Sequence, residues 1–317
     1  MNTPGGWGPP PPGGPGPGVP PHLPSQVCVR HPNRPTALAC TRCDRPACPE
    51  CLRPAAVGQH CVDCVRAGQR DVRPVRTIAG ATTRGAFVPY ATYLLIAASV
   101  IVFAITAAQS SDVMNNQSPS RLFADWALWP RGIAQGEFFR IIGSGFLHFG
   151  PIHLAVNMLA LYIIGRDVEH ILGRSRYVAV YVTALLGGAA GALALQDSLS
   201  VTAGASGAIY GLFGAQAIVL IRLRQSPGPI FVLIAINVII SVSIPGISLW
   251  GHMGGLAAGT AATAGLLFVP GWLGNTGGPT SSSARLIGWG SIAAVAVLAL
   301  AVIALRTLQL RSEFGYS

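Results

Sequence analysis

From Val88 onward the chain is a succession of seven apolar runs, at about 88–108, 151–168, 177–196, 205–223, 229–245, 249–270 and 285–306. Each comes near the ~20 residues that a helix needs to cross ~30 Å of hydrocarbon. In lipid a segment must satisfy its own backbone hydrogen bonds, so runs of this kind become helices. The expected fold class is therefore an all-α polytopic membrane protein with seven spans, or six if one run is re-entrant. Only 10% of residues are charged and mean hydropathy is +0.51, where a soluble domain carries roughly 25% charge. The net charge of +10 is consequently read as topology, and no nucleic-acid partner is expected.

About half of the arginines lie between Arg30 and Arg84, ahead of the first run. Basic residues beside a span mark its cytoplasmic end. The first run also begins too far along the chain for a cleavable secretory signal, so the N-terminus is expected in the cytoplasm and the protein in the plasma membrane. With that orientation the inner loops hold Arg166, Arg174 and Arg176, then Arg222 and Arg224, then Arg285. The outer loops after spans three and five hold only Asp197. The start of span four is thereby placed near the outer leaflet.

Residues 1–25 are almost wholly Pro and Gly, a composition that buries no core and predicts a disordered tail. Residues 26–68 read as a metal-binding module. All seven cysteines fall here, as Cys28-x-x-His31, Cys40-x-x-Cys43, Cys48-x-x-Cys51 and Cys61-x-x-Cys64, with His60 adjacent. Two-residue spacing lets two ligands reach one tetrahedral zinc from a tight turn, and eight ligands close two sites with no water position. A disulfide framework is disfavoured because the cytoplasm keeps thiols reduced and seven cysteines cannot all pair. The segment resembles the cross-braced B-box-type fingers. That resemblance implies one zinc on Cys28, His31, Cys48 and Cys51, and a second on Cys40, Cys43, Cys61 and Cys64. His60 is then a spare, or a substitute for Cys61. A structural zinc module of this size implies a protein partner. Residues 69–86 form a basic linker, carrying Arg70, Arg73, Arg76 and Arg84 against Asp71, that faces anionic headgroups of the bilayer.

Between spans one and two, residues 109–148 mix Trp126, Trp129, Phe138 and Phe139 with Arg121, Arg131 and Arg140. That mixture suits a segment lying in the membrane interface, or a plain extracellular loop.

Polar groups inside spans are costly, which makes them the place to look for chemistry. Span four opens with Gly204-Ala205-Ser206-Gly207, and span six carries His252 in Trp250-Gly251-His252-Met253-Gly254-Gly255. Taken singly, Ser206 is a helix cap and His252 a packing residue. Gly255 and Gly259, however, share a helical face with His252, and Gly207, Gly211 and Gly214 thin span four beside Ser206. The two helices are thus built to touch where hydroxyl and imidazole would meet. A serine needs a neutral base within hydrogen-bond reach, and His252 supplies one. Neither span contains Asp or Glu, so a Ser–His dyad is expected, not a triad. Tyr210, one turn past Ser206, would cover the imidazole, and Gly204 permits the sharp turn that aims hydroxyl and amide together. His153 and Asn157, four apart at the start of span two, with the Ser206 amide, would receive a developing oxyanion. A metal on His148, His153 and His252 is the weaker reading, since no carboxylate accompanies them.

Three separated motifs now align with one family. His148-x4-His153-x3-Asn157, Gly204-Ala205-Ser206-Gly207 with Tyr210, and His252-x2-Gly255-x3-Gly259 resemble the rhomboid intramembrane serine proteases in order and spacing. The resemblance covers roughly residues 86–270. It implies a six-span core (residues 87–272) with Ser206 as nucleophile and His252 as base. It also implies His153, Asn157 and the Ser206 amide around the oxyanion, and His148 close to the cavity. It further implies a half-submerged segment between spans one and two, and a bracing role for Glu169. Glu137-Phe138-Phe139-Arg140 stands where the family often has tryptophans before the arginine. The linker and seventh helix (273–317) and the zinc module lie outside the shared core. The expected activity is endopeptidase cleavage of transmembrane segments of other proteins, without a metal in the chemistry. The rivals are a non-catalytic rhomboid-like binder of membrane clients and a small-solute transporter, and no internal repeat supports the latter.

Overall fold

A computed structural model describes residues 26–71, 75–83, 87–244, 246–274 and 278–316. The Pro/Gly-rich tail and the linker residues Arg73 and Arg84 lie outside the described residues. Contacts divide the chain into two units, Met1–Arg73 and Pro74–Ser317.

In the first unit β1 (Val27–Cys28) pairs antiparallel with β2 (His31–Pro35), and β3 (Leu52–Pro54) with β4 (Gln59–Cys61). Helix α1 (Val62–Asp71) follows and runs past the expected module boundary at 68. The buried core consists of six cysteines with Ala47 and Leu52. Two apolar side chains cannot hold a domain of this size, so its stability has to come through the sulfur atoms.

The second unit begins with a short antiparallel pair, β5 (Val75–Arg76) and β6 (Thr82–Thr83). Helix α2 (Tyr90–Gln109) comes next. The segment between α2 and α6 folds into three short helices, α3 (Arg121–Trp126), α4 (Pro130–Ala134) and α5 (Arg140–Gly143). Arg140 does not face outward: it is buried, bonded to Glu137 at 2.6 Å and to the carbonyls of Ala124 and Ala127 at 2.6 and 3.1 Å. An arginine has five donors, and here they tie α5 to the C-terminal end of α3 and to Glu137 between them.

Helix α6 (Gly150–Ala160) passes through a wider turn at Leu161–Gly165 into α7 (Arg166–Leu172). The segment Arg140–Phe146 meets it at 92°. Then follow α8 (Arg174–Leu195), α9 (Ser206–Arg222), α10 (Gly228–Ser243), α11 (Leu249–Trp272) and α12 (Ser282–Glu313). Among the described residues α2, α8, α11 and α12 are long and apolar enough to cross a membrane, and the bent pair makes a fifth candidate. The chain is an integral membrane protein. Spans four and five are shorter than expected, at 17 and 16 residues. Span four is cut at its start by the turn at Gly204 (φ +134°) and ends at Arg224 (φ +58°).

Helices α8, α9 and α11 form the centre, and they touch through backbone. A Cβ added at Gly255 would collide with the Gly207 carbonyl, and one at Gly259 with Gly211. Helix α8 contributes a second small face, where Gly187 and Gly191 meet Gly254 of α11. Close approach of this kind is how helices associate where lipid removes the hydrophobic drive.

Glu169 is fully buried and accepts the amides of Ala91 and Thr92 at 3.1 and 2.8 Å and the Thr92 hydroxyl at 2.7 Å. A carboxylate thus caps the N-terminus of α2, where the first amides lack partners. Glu169→Ala is expected to cost roughly 2–4 kcal/mol by orphaning those donors. An unchanged unfolding midpoint in detergent would show that the cap contributes nothing.

Candidate active site and metal centres

Ser206 is the first residue of α9. Its loop is held by paired bonds between Leu128 and Thr202 (2.9 Å each way) and by the Gly204 amide on the Ser144 carbonyl at 2.9 Å. The Ser206 hydroxyl lies 2.7 Å from His252 Nε2. The Tyr210 ring stacks flat on the imidazole, centroids 4.1 Å apart and planes 13° apart. Helices α9 and α11 meet at glycines directly beside this pair, so the close packing and the hydrogen bond come from one contact.

The other imidazole nitrogen has a partner that sequence reasoning did not identify. Ser241 Oγ on α10 lies 2.7 Å from His252 Nδ1, 2.7 Å from the Asn237 carbonyl and 3.1 Å from the Tyr210 hydroxyl. With the Ser241 hydroxyl donating to the Asn237 carbonyl, one tautomer of His252 follows. A carbonyl only accepts, and in this arrangement Ser241 donates its single proton to that of Asn237. Its oxygen then accepts from His252 Nδ1–H, which leaves Nε2 bare and facing the Ser206 hydroxyl. The same count applies to His153. Its Nδ1 accepts the Phe149 amide at 3.1 Å, so its Nε2 carries hydrogen and is a donor. That edge of the ring lies against Gly204, where an added Cβ would meet His153 Cε1 at 2.9 Å. Gly204→Ala should therefore displace the ring and lower any activity of the site about tenfold. Cleavage at the native rate would separate Gly204 from the geometry.

Asn157 gives one amide hydrogen to the His153 carbonyl at 2.8 Å and keeps the other. Ser206, His252, His153, Asn157, Tyr210 and Ser241 all line one cavity of about 750 Å³. Its walls include apolar side chains of α6, Ile152 and Val156, and of α10 and the residue after it, Ile240 and Ile244, all exposed. His148 is different: it does not line this cavity. It precedes the first turn of α6, is fully buried, bonds the Phe146 carbonyl at 3.2 Å and packs behind His153 with centroids 5.2 Å apart. Its position is one that supports a neighbouring ring.

In the first unit the eight knuckle residues gather into two quartets, Cys28–His31–Cys48–Cys51 and Cys40–Cys43–Cys61–Cys64, with ligand atoms within 4.8 Å of one another. His31 Nδ1 lies 3.8, 3.4 and 3.4 Å from the sulfurs of Cys28, Cys48 and Cys51, and the Cys43 and Cys61 sulfurs are 3.8 Å apart. A tetrahedral zinc spaces its ligand atoms about 3.4–3.8 Å apart, so the donor sets fit one such ion each. The Cys48 amide holds the Cys28 thiol down to about 6, while burial pushes Cys51 up to about 11. His60 stays outside both quartets, on β4 opposite Arg53. Successive strand residues point to opposite faces, so His60 and the ligand Cys61 alternate along β4.

A rhomboid domain profile matches residues 135–268. The Rhomboid protease GluP of Bacillus subtilis is 34% identical over 183 residues, 56% of this chain and 35% of that protein. The Putative rhomboid protease YdcA of the same organism is 32% identical over 133 residues, 40% of this chain and 67% of that one. RHOMBOID-like protein 4 of Arabidopsis thaliana is 32% identical over 158 residues, 47% and 40%. The chain thus spans between about a third and two thirds of these relatives. The matched residues run from just after α4 into the last turns of α11 and contain both partners of the 2.7 Å Ser206–His252 bond, and with the relative matched over 67% of its length they show that the chain belongs to the rhomboid family.

Proposed function

We propose that this protein is an intramembrane serine endopeptidase that cuts transmembrane segments of other membrane proteins. The observation that supports it most is the Ser206–His252 bond at the wall of an apolar cavity. The relatives named as rhomboid proteases favour a hydrolase.

Ser206 gives its proton to bare His252 Nε2 as its oxygen attacks the scissile carbonyl. The oxyanion receives His153 Nε2–H, the free Asn157 hydrogen and the Ser206 amide, one of the unpaired donors at the start of α9. The imidazolium, steadied by Ser241 Oγ at Nδ1 and the Tyr210 face, protonates the departing amine. Water then repeats the sequence and frees Ser206. An intact helix hides its carbonyls in its own hydrogen bonds, so the substrate must unwind where it enters between α6 and α10, which favours small or helix-breaking residues at the cut. A non-catalytic binder has no use for a tautomer lock on His252.

The arginine bias supports a cytoplasmic N-terminus, a site toward the outer leaflet and residence in the plasma membrane. The quartets would hold two structural zinc ions and present the first unit to a protein partner. Stripping metal with a chelator should abolish the ordered near-ultraviolet signal of that unit and expose its thiols. About two zinc per purified chain is expected, and one or none overturns the two-site assignment. Cleavage itself is tested in lipid vesicles carrying a reporter transmembrane substrate, with products identified by mass.

A further inference from the structure

A second cavity of about 670 Å³ lies at the opposite end of α8, between the β5–β6 turn, the α7–α8 junction and the start of α12. Gly188 of α8 packs against Gly207, twelve residues from Arg176 and so about 18 Å along the helix. The cavity is thus separate from the Ser206 site. It is lined by Arg76, Arg174, Arg176 and Arg285, and among the described residues no carboxylate lines it. Glu169, 3.9 Å from Arg174, is fully buried and already committed to the α2 cap. Arg176 and Arg285 thus stand as like charges in the wall of one recess. Holding them there is unfavourable unless an anion joins them.

The arginines are also anchored. Arg176 bonds the Ala79 carbonyl, Arg76 the Gly80 carbonyl at 3.3 Å, and Thr77 the Ile171 carbonyl at 2.6 Å, which fastens the hairpin to α7. Each guanidinium keeps donors to spare, in the planar fork that matches phosphate oxygens. The volume is that of an organic ligand, not a bare ion. One turn along α12 from Arg285 stands Trp289, in the wall and 39% exposed, and Leu286, three positions before it on the same side of the helix, is 75% exposed beside the cavity lining. This is a charged head above an apolar track.

We propose that this cavity binds the phosphate of an anionic phospholipid, with Arg76, Arg176 and Arg285 on the headgroup and an acyl chain along Trp289 and Leu286. Basic recesses between spans take such headgroups on charge grounds alone, and the site is independent of whether Ser206 is active. The test is native mass spectrometry of the full-length protein in mild detergent, titrated with phosphatidylglycerol, phosphatidylcholine or inorganic phosphate. Phosphatidylglycerol should bind one per chain, ahead of phosphatidylcholine. Arg76→Gln/Arg285→Gln should weaken it about tenfold or more, while Arg166→Gln, outside the cavity, should not. Melting of the lipid-free variants at the native temperature guards against misfolding. Equal binding of the two lipids, or of phosphatidylglycerol to native and double-variant protein, overturns the site. Inorganic phosphate binding as tightly as the lipid would overturn the lipid as its source.

Discussion

Ser206→Ala and His252→Ala should each lower cleavage of a reconstituted transmembrane reporter by at least about 10³-fold, and the double variant should be no worse than either single one. The expectation follows from the 2.7 Å bond between Ser206 Oγ and His252 Nε2. In the proposed mechanism nucleophile and base act as one unit, so losing either removes the covalent step entire and leaves only what the oxyanion donors and binding supply. Both variants should stay folded. Ser206→Ala removes one oxygen at a cavity wall, and neither change touches the glycine contacts of α9 with α11. A fluorophosphonate probe should label the native protein at Ser206 and neither variant. If either variant cleaves at the native rate, the dyad is wrong. If additive losses appear, the two residues act independently.

What could be read from the sequence was whatever depends on residue type and local spacing. Ser206 and His252 stood out because polar groups are rare in apolar runs, and Gly255 and Gly259 because a three- and seven-residue offset fixes a helical face without reference to any partner. The paired knuckles were legible for the same reason. Ser241 was not. It is one serine in a run of apolar residues, and only the placement of α10 against α11 brings it to His252 Nδ1, eleven positions on. Gly187 and Gly191 were visible as small residues, but that they face Gly254 depends on how α8 and α11 pack. Arg140 misled because charge beside aromatics is the pattern of a headgroup contact. The chain instead folds three short helices around it and supplies the carbonyls that satisfy it. His148 shared its motif with His153 yet falls before the helix begins, so their spacing did not put both rings in the cavity.

Ser241→Ala should lower kcat about 10²-fold with little change in KM, the range expected when the group that orients a functional imidazole is lost. With its oxygen gone, His252 Nδ1–H loses its acceptor and the tautomer that bares Nε2 loses its preference. Part of the population then presents Nε2–H to Ser206, which cannot serve as a base. Ser241 does not reach the reacting atoms, so this is a positioning effect, and it separates from a packing effect in two ways. Ser241→Thr keeps the oxygen and should recover most of the rate, whereas an equally sized apolar Ser241→Val should not. Labelling of Ser206 by a small fluorophosphonate should slow in step with kcat, because the defect lies in the nucleophile and not in substrate entry. Because Ser241 sits on α10, which is also a wall of the cavity, the proposed mechanism makes the protonation of the base depend on that wall being in place. A variant that labels at the native rate while kcat falls would place the loss in substrate handling and remove Ser241 from the mechanism.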